Sequence, residues 1–219
     1  EHKSFCTLSE CLRHDPAAIA AHLDCVLDKI KETLVPDLKK IHFVSDGPST
    51  QYRNKTMFYL FSRHISERQK VEECTWNYCE AGHGKGAPDG VGGCLKRSAD
   101  AFVARGIDIP NFYKLVTLLK DTTQIEILTV SEEDITKIDL ILPDTEEFVT
   151  FKGTMKIHQI TWSKRSPSLQ ARRLSCTTCK PEASCGHFGI GSIDVSSLNP
   201  PKKNSTYKQK KNSLLSCVF

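Results

Sequence analysis

The sequence predicts an α/β protein, and two kinds of pattern support that prediction. Short apolar runs at residues 41–45 and 73–79 have the length and composition of strands. Two longer segments, 16–35 and 49–65, carry apolar residues at the three- and four-residue spacing of amphipathic helices. Strands and helices therefore alternate along the first half of the chain, which is typical of a layered structure with parallel neighbouring strands.

The first half of the chain is predicted from its N-terminus as follows. Residues 3–9 form a short strand, and Asp15 and Pro16 suit the cap and the first turn of the helix at 16–35. Pro36 ends that helix, because proline cannot continue it. After the strand at 73–79, a glycine-rich stretch leads into a helix that ends near residue 104.

Weaker patterns predict the second half. The predicted elements are a helix at 109–119, a strand at 124–130, a short helix capped by Ser131, and two strands within 147–162 around Lys152 and Gly153. From Ser163 onward the chain is polar and is predicted to be loop. Residues 200–211 hold five lysines and no acidic residue, so we expect a disordered basic tail, with a role either at phosphates and in nuclear import or in solubility alone.

These elements divide into three predicted segments. Residues 1–106 form an α/β core, 107–162 form a small α+β region, and 163–219 form a cysteine-bearing segment with the basic tail. The N-terminus lacks the apolar region of a signal peptide, and no apolar run is long enough to span a membrane. We therefore expect a protein that is not secreted and has no membrane partner, in which the ten cysteines are thiols or metal ligands.

Two aspartates are candidates for a metal site at the edge of the predicted sheet. Asp46 follows one strand, and Asp89 follows the next strand and its glycine-rich stretch, with Glu80 as a rival for the second position. Carboxylate oxygens that converge there would suit Mg²⁺ or Mn²⁺. Each aspartate also has a purely structural alternative, since Asp46 lies in a turn sequence and Asp89 suits a helix N-cap.

Several motifs resemble one family of proteins. The motifs lie at residues 45–55, 76–78, 82–97, 152–159 and 173–176, and the resemblance extends over about residues 5–190. The chain resembles animal transposon-derived proteins that carry an RNase H-like, acidic-triad integrase/transposase core. The resemblance implies Mg²⁺-dependent cleavage and transfer of strands on a DNA partner. Together with the basic tail as an import signal, we expect a nuclear location.

The resemblance also assigns residues. It implies that Asp46 is the second acid of the triad and Asp89 the third. The basic side chains of Lys85, Lys96 and Arg97 are then candidates for DNA contacts, with a solvated helix surface as the alternative.

The chain departs from this family at the start of the core. Only 45 residues precede Asp46, and they hold neither the first strands of that fold nor an obvious first acid. We therefore expect the C-terminal portion of a partial RNase H-like three-layer core that retains two of three metal-binding acids. Such a protein would associate with DNA, with weak or no phosphodiester cleavage, and could form homo-oligomers.

A second group of residues predicts a different metal. Cys176, Cys179, Cys185 and His187 are the sulfur and nitrogen ligands of a tetrahedral Zn²⁺ site, and Cys176 and Cys179 have the C-x-x-C spacing. The alternative is a set of reduced thiols in a flexible tail. If zinc is bound, the chain has a second candidate function, a non-catalytic module that binds nucleic acid or a protein partner.

Overall fold

The computed structural model describes residues 2–80, 86–143 and 153–195, together with the backbone of residues 216–218. Over these residues the protein is a mixed α/β structure with two β-sheets, which confirms the predicted class. The basic tail predicted at 200–211 lies outside the described residues.

The strands and helices follow one another along most of the described chain. The strands are β1 (Phe5–Ser9), β2 (Lys40–Ser45), β3 (Glu73–Tyr78), β4 (Glu126–Thr129), β5 (Gln159–Ser163), β6 (Ser168–Arg172), β7 (Gly189–Asp194) and β8 (Ser216–Val218). The helices are α1 (Pro16–Thr33), α2 (Lys55–Tyr59), α3 (Ser66–Arg68), α4 (Ala87–Ala104), α5 (Phe112–Thr122) and α6 (Glu132–Ile141). A π-helical turn, Leu60–Ile65, joins α2 to α3, and a 3₁₀ turn, Thr154–Lys156, precedes β5.

The smaller sheet has β1 at its centre. β1 pairs in parallel with β4 and antiparallel with β8. An apolar cluster fixes α4 and α5 on this sheet, with Leu95 of α4 and Leu119 of α5 buried beside Leu8 and Ile127. The helix that follows the glycine-rich stretch therefore belongs to the smaller sheet.

The larger sheet contains the other strands in the order β2-β3-β5-β6-β7. β2 and β3 are parallel, as the sequence predicts for neighbouring strands, whereas β5, β6 and β7 add to the sheet in antiparallel orientation. This sheet takes strands from both sides of the segment boundaries predicted at residues 106 and 162. The C-terminal strands thus extend the sheet that begins with β2.

Aromatic packing around Trp76 forms the centre of the larger core. The indole is 2% exposed and stacks between Phe43, whose ring centroid lies 4.7 Å away, and Tyr78, at 6.1 Å. Phe61, from the π-helical turn, meets the same ring edge-on. The indole Nε1 donates a hydrogen bond to Ser45 Oγ, so the one polar atom of the ring is also satisfied.

Local signals placed several helix boundaries correctly. Asp15 accepts a hydrogen bond from the Ala18 amide at the start of α1, and Pro16 occupies the first turn. Ser131 and Asp134 form a capping box at α6. The predicted strand at residues 3–9 and the predicted helix at 109–119 correspond to β1 and α5, with shifted ends.

Three sequence predictions are wrong in position. β1 does not lie beside β2 but pairs with β4 in the smaller sheet. The second helix begins at Lys55, where Asn54 provides the cap, because residues 49–53 form a turn on the Pro48 carbonyl. The loop predicted from Ser163 onward contains β6 and β7.

The strand pair predicted within 147–162 is described only in part. Residues 144–152, including Lys152, lie outside the described chain. Gly153 has a φ of 83°, the left-handed conformation that glycine adopts readily, and it leads into the 3₁₀ turn. β5 then begins at Gln159.

A search of the described residues for a membrane-spanning helix finds none with the necessary length and hydropathy.

The buried histidine His22 makes stability depend on pH. Its ring is 1% exposed between α1 and β1, its Nδ1 lies 2.8 Å from Thr7 Oγ1, and its Nε2 has no hydrogen-bond partner among the described residues. Burial lowers the pKa of His22 from 6.5 to about 4. The unfolded chain therefore takes up a proton that the folded chain excludes, and stability falls as the pH drops from about 6.5 towards 4.

We predict that His22→Gln flattens this acid dependence. The free energy of unfolding of the unmodified chain should fall by about 3 kcal/mol over that pH range from this residue alone, and the variant should lose that slope. Urea unfolding at several pH values between 7.5 and 4 measures it. His14→Gln, which removes an exposed imidazole, is the control and should keep the slope; equal slopes for all three chains would contradict the prediction.

Candidate metal centre

Four side chains predicted as zinc ligands come together in the structure. The ligand atoms of Cys176, Cys179, Cys185 and His187 all lie within 4.8 Å of one another. The Cys176 and Cys179 sulfurs are each 3.5 Å from His187 Nδ1. This cluster could hold a metal ion, and the four residues span only twelve positions of the chain, 176–187.

The pairing of β6 with β7 brings the ligands together. Cys176 and Cys179 lie in the turn that follows β6, while Cys185 and His187 lie just before β7. The Arg173 amide donates to the Phe188 carbonyl, which continues the β6–β7 ladder up to the ligands. The end of β6 and the start of β7 are adjacent, so Cys176 and Cys179 lie opposite Cys185 and His187.

Hydrogen bonds at sulfur favour the thiolate, the ligand form, at Cys176 but not at Cys179. The Phe188 amide donates to Cys185 Sγ at 3.3 Å. The pKa of Cys176 is lowered to about 6, first by the hydrogen bond with His187 and then by the backbone amides of Cys179 and Thr178. The pKa of Cys179 is raised, chiefly by its contact with Cys185. Because thiolates are the metal-binding form, a lowered pKa at Cys176 prepares the cluster for a cation.

A buried polar network supports the first ligand. Gln159 of β5 accepts a hydrogen bond from the Cys176 amide at 3.0 Å through Oε1. Its Nε2 donates to Asn77 Oδ1 of β3 at 2.8 Å, and the same Asn77 oxygen accepts from Ser175 Oγ. Asn77 Nδ2 in turn donates to the Phe43 carbonyl of β2. The cluster is thus connected through side-chain hydrogen bonds to the centre of the larger sheet.

The sequence did not reveal this support. Gln159 and Arg172 lie on strands, and Arg172 is 1% exposed with its guanidinium turned towards the turn that carries Cys176 and Cys179. The local sequence around a polar strand residue does not indicate that its side chain forms hydrogen bonds with a loop elsewhere in the chain. Only the C-x-x-C spacing and the nearby Cys185 and His187 marked the site.

The two candidate acids occupy separate structural settings. Asp46 is exposed directly after β2, and Asp89 is exposed in the first turn of α4, where its carboxylate accepts a hydrogen bond from the Gly86 amide at 3.0 Å. Neither belongs to a group of three or more metal-ligating side chains among the described residues. The N-cap of α4 is Gly86, so Asp89 is not the N-cap that the sequence suggested, but it completes a capping box from the third helical position. Shared cation binding by the pair stays a prediction.

The other candidate residues are Glu80, the alternative metal ligand, and three basic residues proposed to contact DNA. Glu80 contacts His158, with 3.0 Å between Glu80 Oε1 and His158 Nε2. Lys96 and Arg97 are exposed on α4, whereas Lys85 lies outside the described residues. Their contact with DNA stays a prediction.

The motif at residues 45–55 has a structural explanation in Arg53. This side chain is 5% exposed and donates to the carbonyls of Gly47, Met155 and Ile157. A side chain at position 47 would collide with the Arg53 guanidinium, so glycine is required there. Arg53 thereby fixes the loop after Asp46 onto the chain segment that precedes β5.

Comparison with known proteins identifies one family. The model of a domain of unknown function, DUF8701, matches residues 1–175. That match ends immediately before Cys176, so the four ligands lie beyond it, while their supporting residues Gln159 and Arg172 lie within it. No curated protein and no solved structure matches the chain.

We predict that Gly189→Ala weakens the candidate metal centre. A β-carbon at Gly189 would lie 2.5 Å from the backbone oxygen of Cys185, so the ligand turn must move to admit it. The variant should lose metal affinity and thermal stability, measured by competition with a chromophoric chelator and by thermal unfolding. Gly186→Ala lies in the same turn with open space around its β-carbon and should behave like the unmodified chain. Equal affinities for the two variants would contradict this account of the turn.

Proposed function

The chain belongs to the DUF8701 domain family, and on that premise we propose that it is a zinc-stabilised, non-catalytic interaction module. The observation that carries the proposal is the convergence of three cysteine sulfurs and one histidine nitrogen within 4.8 Å. Sulfur and imidazole ligands suit Zn²⁺ and disfavour Mg²⁺ or Ca²⁺. Four protein ligands complete a tetrahedron, which is the arrangement of structural zinc rather than of zinc that activates water.

The zinc ion would link β6 to β7 at the edge of the larger sheet. β7 is mostly exposed and forms the edge strand, and its residues bury little apolar surface. A metal that joins the turn after β6 to the start of β7 would compensate for this small core, as structural zinc does in small domains. Removal of the metal should therefore loosen β6 and β7 before the rest of the sheet.

The surroundings of the cluster favour a nucleic-acid partner. Arg173 and Lys180 are exposed on either side of the C-x-x-C turn. Glu182, the acidic residue nearest to them along the turn, is only partly exposed, and its carboxylate faces Arg165 at 4.0 Å. Cationic side chains held at fixed positions next to a rigid zinc turn are suited to phosphate groups.

We predict that the purified chain contains one zinc ion and that chelation lowers its unfolding temperature. Cys176→Ser should lose the metal, because this buried thiolate is held by His187 and by backbone amides. Cys94→Ser, which removes a cysteine of α4 outside the cluster, is the matched control. Elemental analysis and thermal unfolding with and without a chelator give the readout. Full zinc content in Cys176→Ser, or none in the unmodified chain, would refute the proposal.

A second candidate is a transposase-derived, DNA-associated protein with a partial RNase H-like core. The specific support is the parallel β2–β3 pair with Asp46 exposed directly after β2, at the sheet edge where α/β proteins hold ligands. In this candidate Asp46 and Asp89 hold Mg²⁺ or Mn²⁺ and Lys96 and Arg97 contact DNA. A nuclear location and self-association belong to the same proposal.

We predict weak or no nicking of duplex DNA by the chain with Mg²⁺ or Mn²⁺, since two separated, exposed acids cannot fix two ions well. A supercoiled-plasmid assay compares the unmodified chain with Asp46→Asn and with Asp108→Asn, an exposed acid elsewhere. Strong nicking that only Asp46→Asn abolishes would overturn this expectation.

Salt-dependent DNA binding also distinguishes the two candidate functions. If the chain is the zinc module, changing Arg173 and Lys180 to Gln should lower its affinity for DNA. If the chain is the transposase-derived core, changing Lys96 and Arg97 to Gln should lower that affinity.

A further inference from the structure

Arg172 is a buried cation that forms no ion pair of 4.0 Å or less among the described residues. Its side chain is 1% exposed, and the carboxylate of Glu182, in the same turn, faces Arg165 instead. Its hydrogen-bond acceptors are neutral oxygens, at Gln159 Oε1 (3.0 Å) and at the carbonyls of Cys176 (2.9 Å), Cys179 (3.5 Å) and Lys180 (2.8 Å). Its Nε has no partner among the described residues.

Such an arrangement is costly unless a negative charge lies nearby. A guanidinium loses its hydration when it is buried, and hydrogen bonds to neutral oxygens satisfy its donors without neutralising its charge. The polar contacts next to it, at Gln159 and Asn77, are also neutral. The turn that accepts hydrogen bonds from Arg172 carries the candidate metal centre, which can supply the compensating negative charge.

The candidate metal centre has the required charge. A divalent ion contributes two positive charges, and three thiolates contribute three negative ones, so with a neutral His187 the centre carries a net charge of −1. Arg172 donates to the backbone carbonyls of two of the cysteine ligands, which places its guanidinium directly beneath the C-x-x-C turn. The guanidinium and the loaded centre together are neutral.

We propose that Arg172 is the counter-ion and positioning residue of the metal centre, and that its single positive charge makes the centre selective for a divalent ion. This inference rests on the proposed zinc site. A monovalent soft ion such as Cu⁺ would leave the same ligands with a net charge of −2, of which Arg172 compensates only half. The buried arginine thus makes the site prefer a divalent ion, while the sulfur ligands make it prefer a soft metal.

The test is a zinc titration of the full chain against a chromophoric chelator, with Arg172→Met, Arg172→Lys and Arg165→Met. Arg165 is exposed and lies in the turn between β5 and β6, so it controls for the loss of one positive charge. Arg172→Met should lower zinc affinity by about 10–100-fold, the usual effect of losing a residue that supports metal ligands. Arg172→Lys keeps the charge and should lose less, and Arg165→Met should bind like the unmodified chain.

A double-mutant cycle separates the effect of the Arg172 charge on zinc binding from its effect on the shape of the ligand turn. Cys179→His replaces a thiolate by a neutral ligand, so the loaded centre becomes neutral and no longer needs a counter-ion. Arg172→Met should therefore lower zinc affinity several-fold less in the Cys179→His chain than in the chain with all three cysteines. Equal losses in the two backgrounds, or equal losses for Arg172→Met and Arg172→Lys, would overturn the proposal.

Two further measurements distinguish a wrong zinc site from a wrong role for Arg172. Absence of zinc binding by the unmodified chain refutes the zinc site itself, whereas normal binding by Arg172→Met refutes only the role of Arg172. Urea unfolding without metal shows whether the variants fold. Arg172→Met should lose some stability there, because Gln159 and three backbone carbonyls lose their donor, and it should lose more stability with zinc bound, where its charge is also missing. An equal loss with and without zinc would show that the arginine serves the sheet instead.

Discussion

The antiparallel pairing of β6 with β7 is the constraint on which the candidate centre depends. It brings a C-x-x-C turn at the end of one strand against a cysteine and a histidine at the start of the next. The pairing alone is weak, because β7 is an exposed edge strand that contains two glycines. Buried hydrogen bonds hold the turn in place: Arg172 donates to the Cys176 carbonyl, and Gln159 accepts from the Cys176 amide. A bound ion would add to this support.

Features encoded by neighbouring residues were predictable. The capped start of α1 at Asp15, the parallel strands β2 and β3, and the four metal ligands follow from spacing and from local hydrogen-bond chemistry. β6 was missed although Leu169 and Ala171 alternate with polar residues, because two apolar residues are a short pattern within a polar segment. β7 was missed because Gly189–Asp194 has glycine and polar residues and no regular alternation. The placement of β1 in a separate sheet depends on its distant partner β4, and no local pattern contains that information.

The two aspartates show why an acidic residue is ambiguous in sequence. The same carboxylate that can bind a cation also caps a helix, and Asp89 does the latter by accepting a hydrogen bond from the Gly86 amide. The motif around Asp46 is similarly explained in part by packing, since Arg53 and Gly47 hold that loop in place. A cluster of four soft ligands has no comparable structural explanation, and for that reason it is the stronger functional signal.

The relay from Cys176 through Gln159 and Asn77 to the Phe43 carbonyl crosses three adjacent strands. Its members are buried or partly buried, so breaking one of these bonds leaves polar atoms without water to replace their partners. The ligand turn is consequently coupled to β2 through side chains, although more than a hundred residues separate them along the chain. Opening of the turn would therefore lower the protection of β2 amides against exchange, after that of β6 and β7.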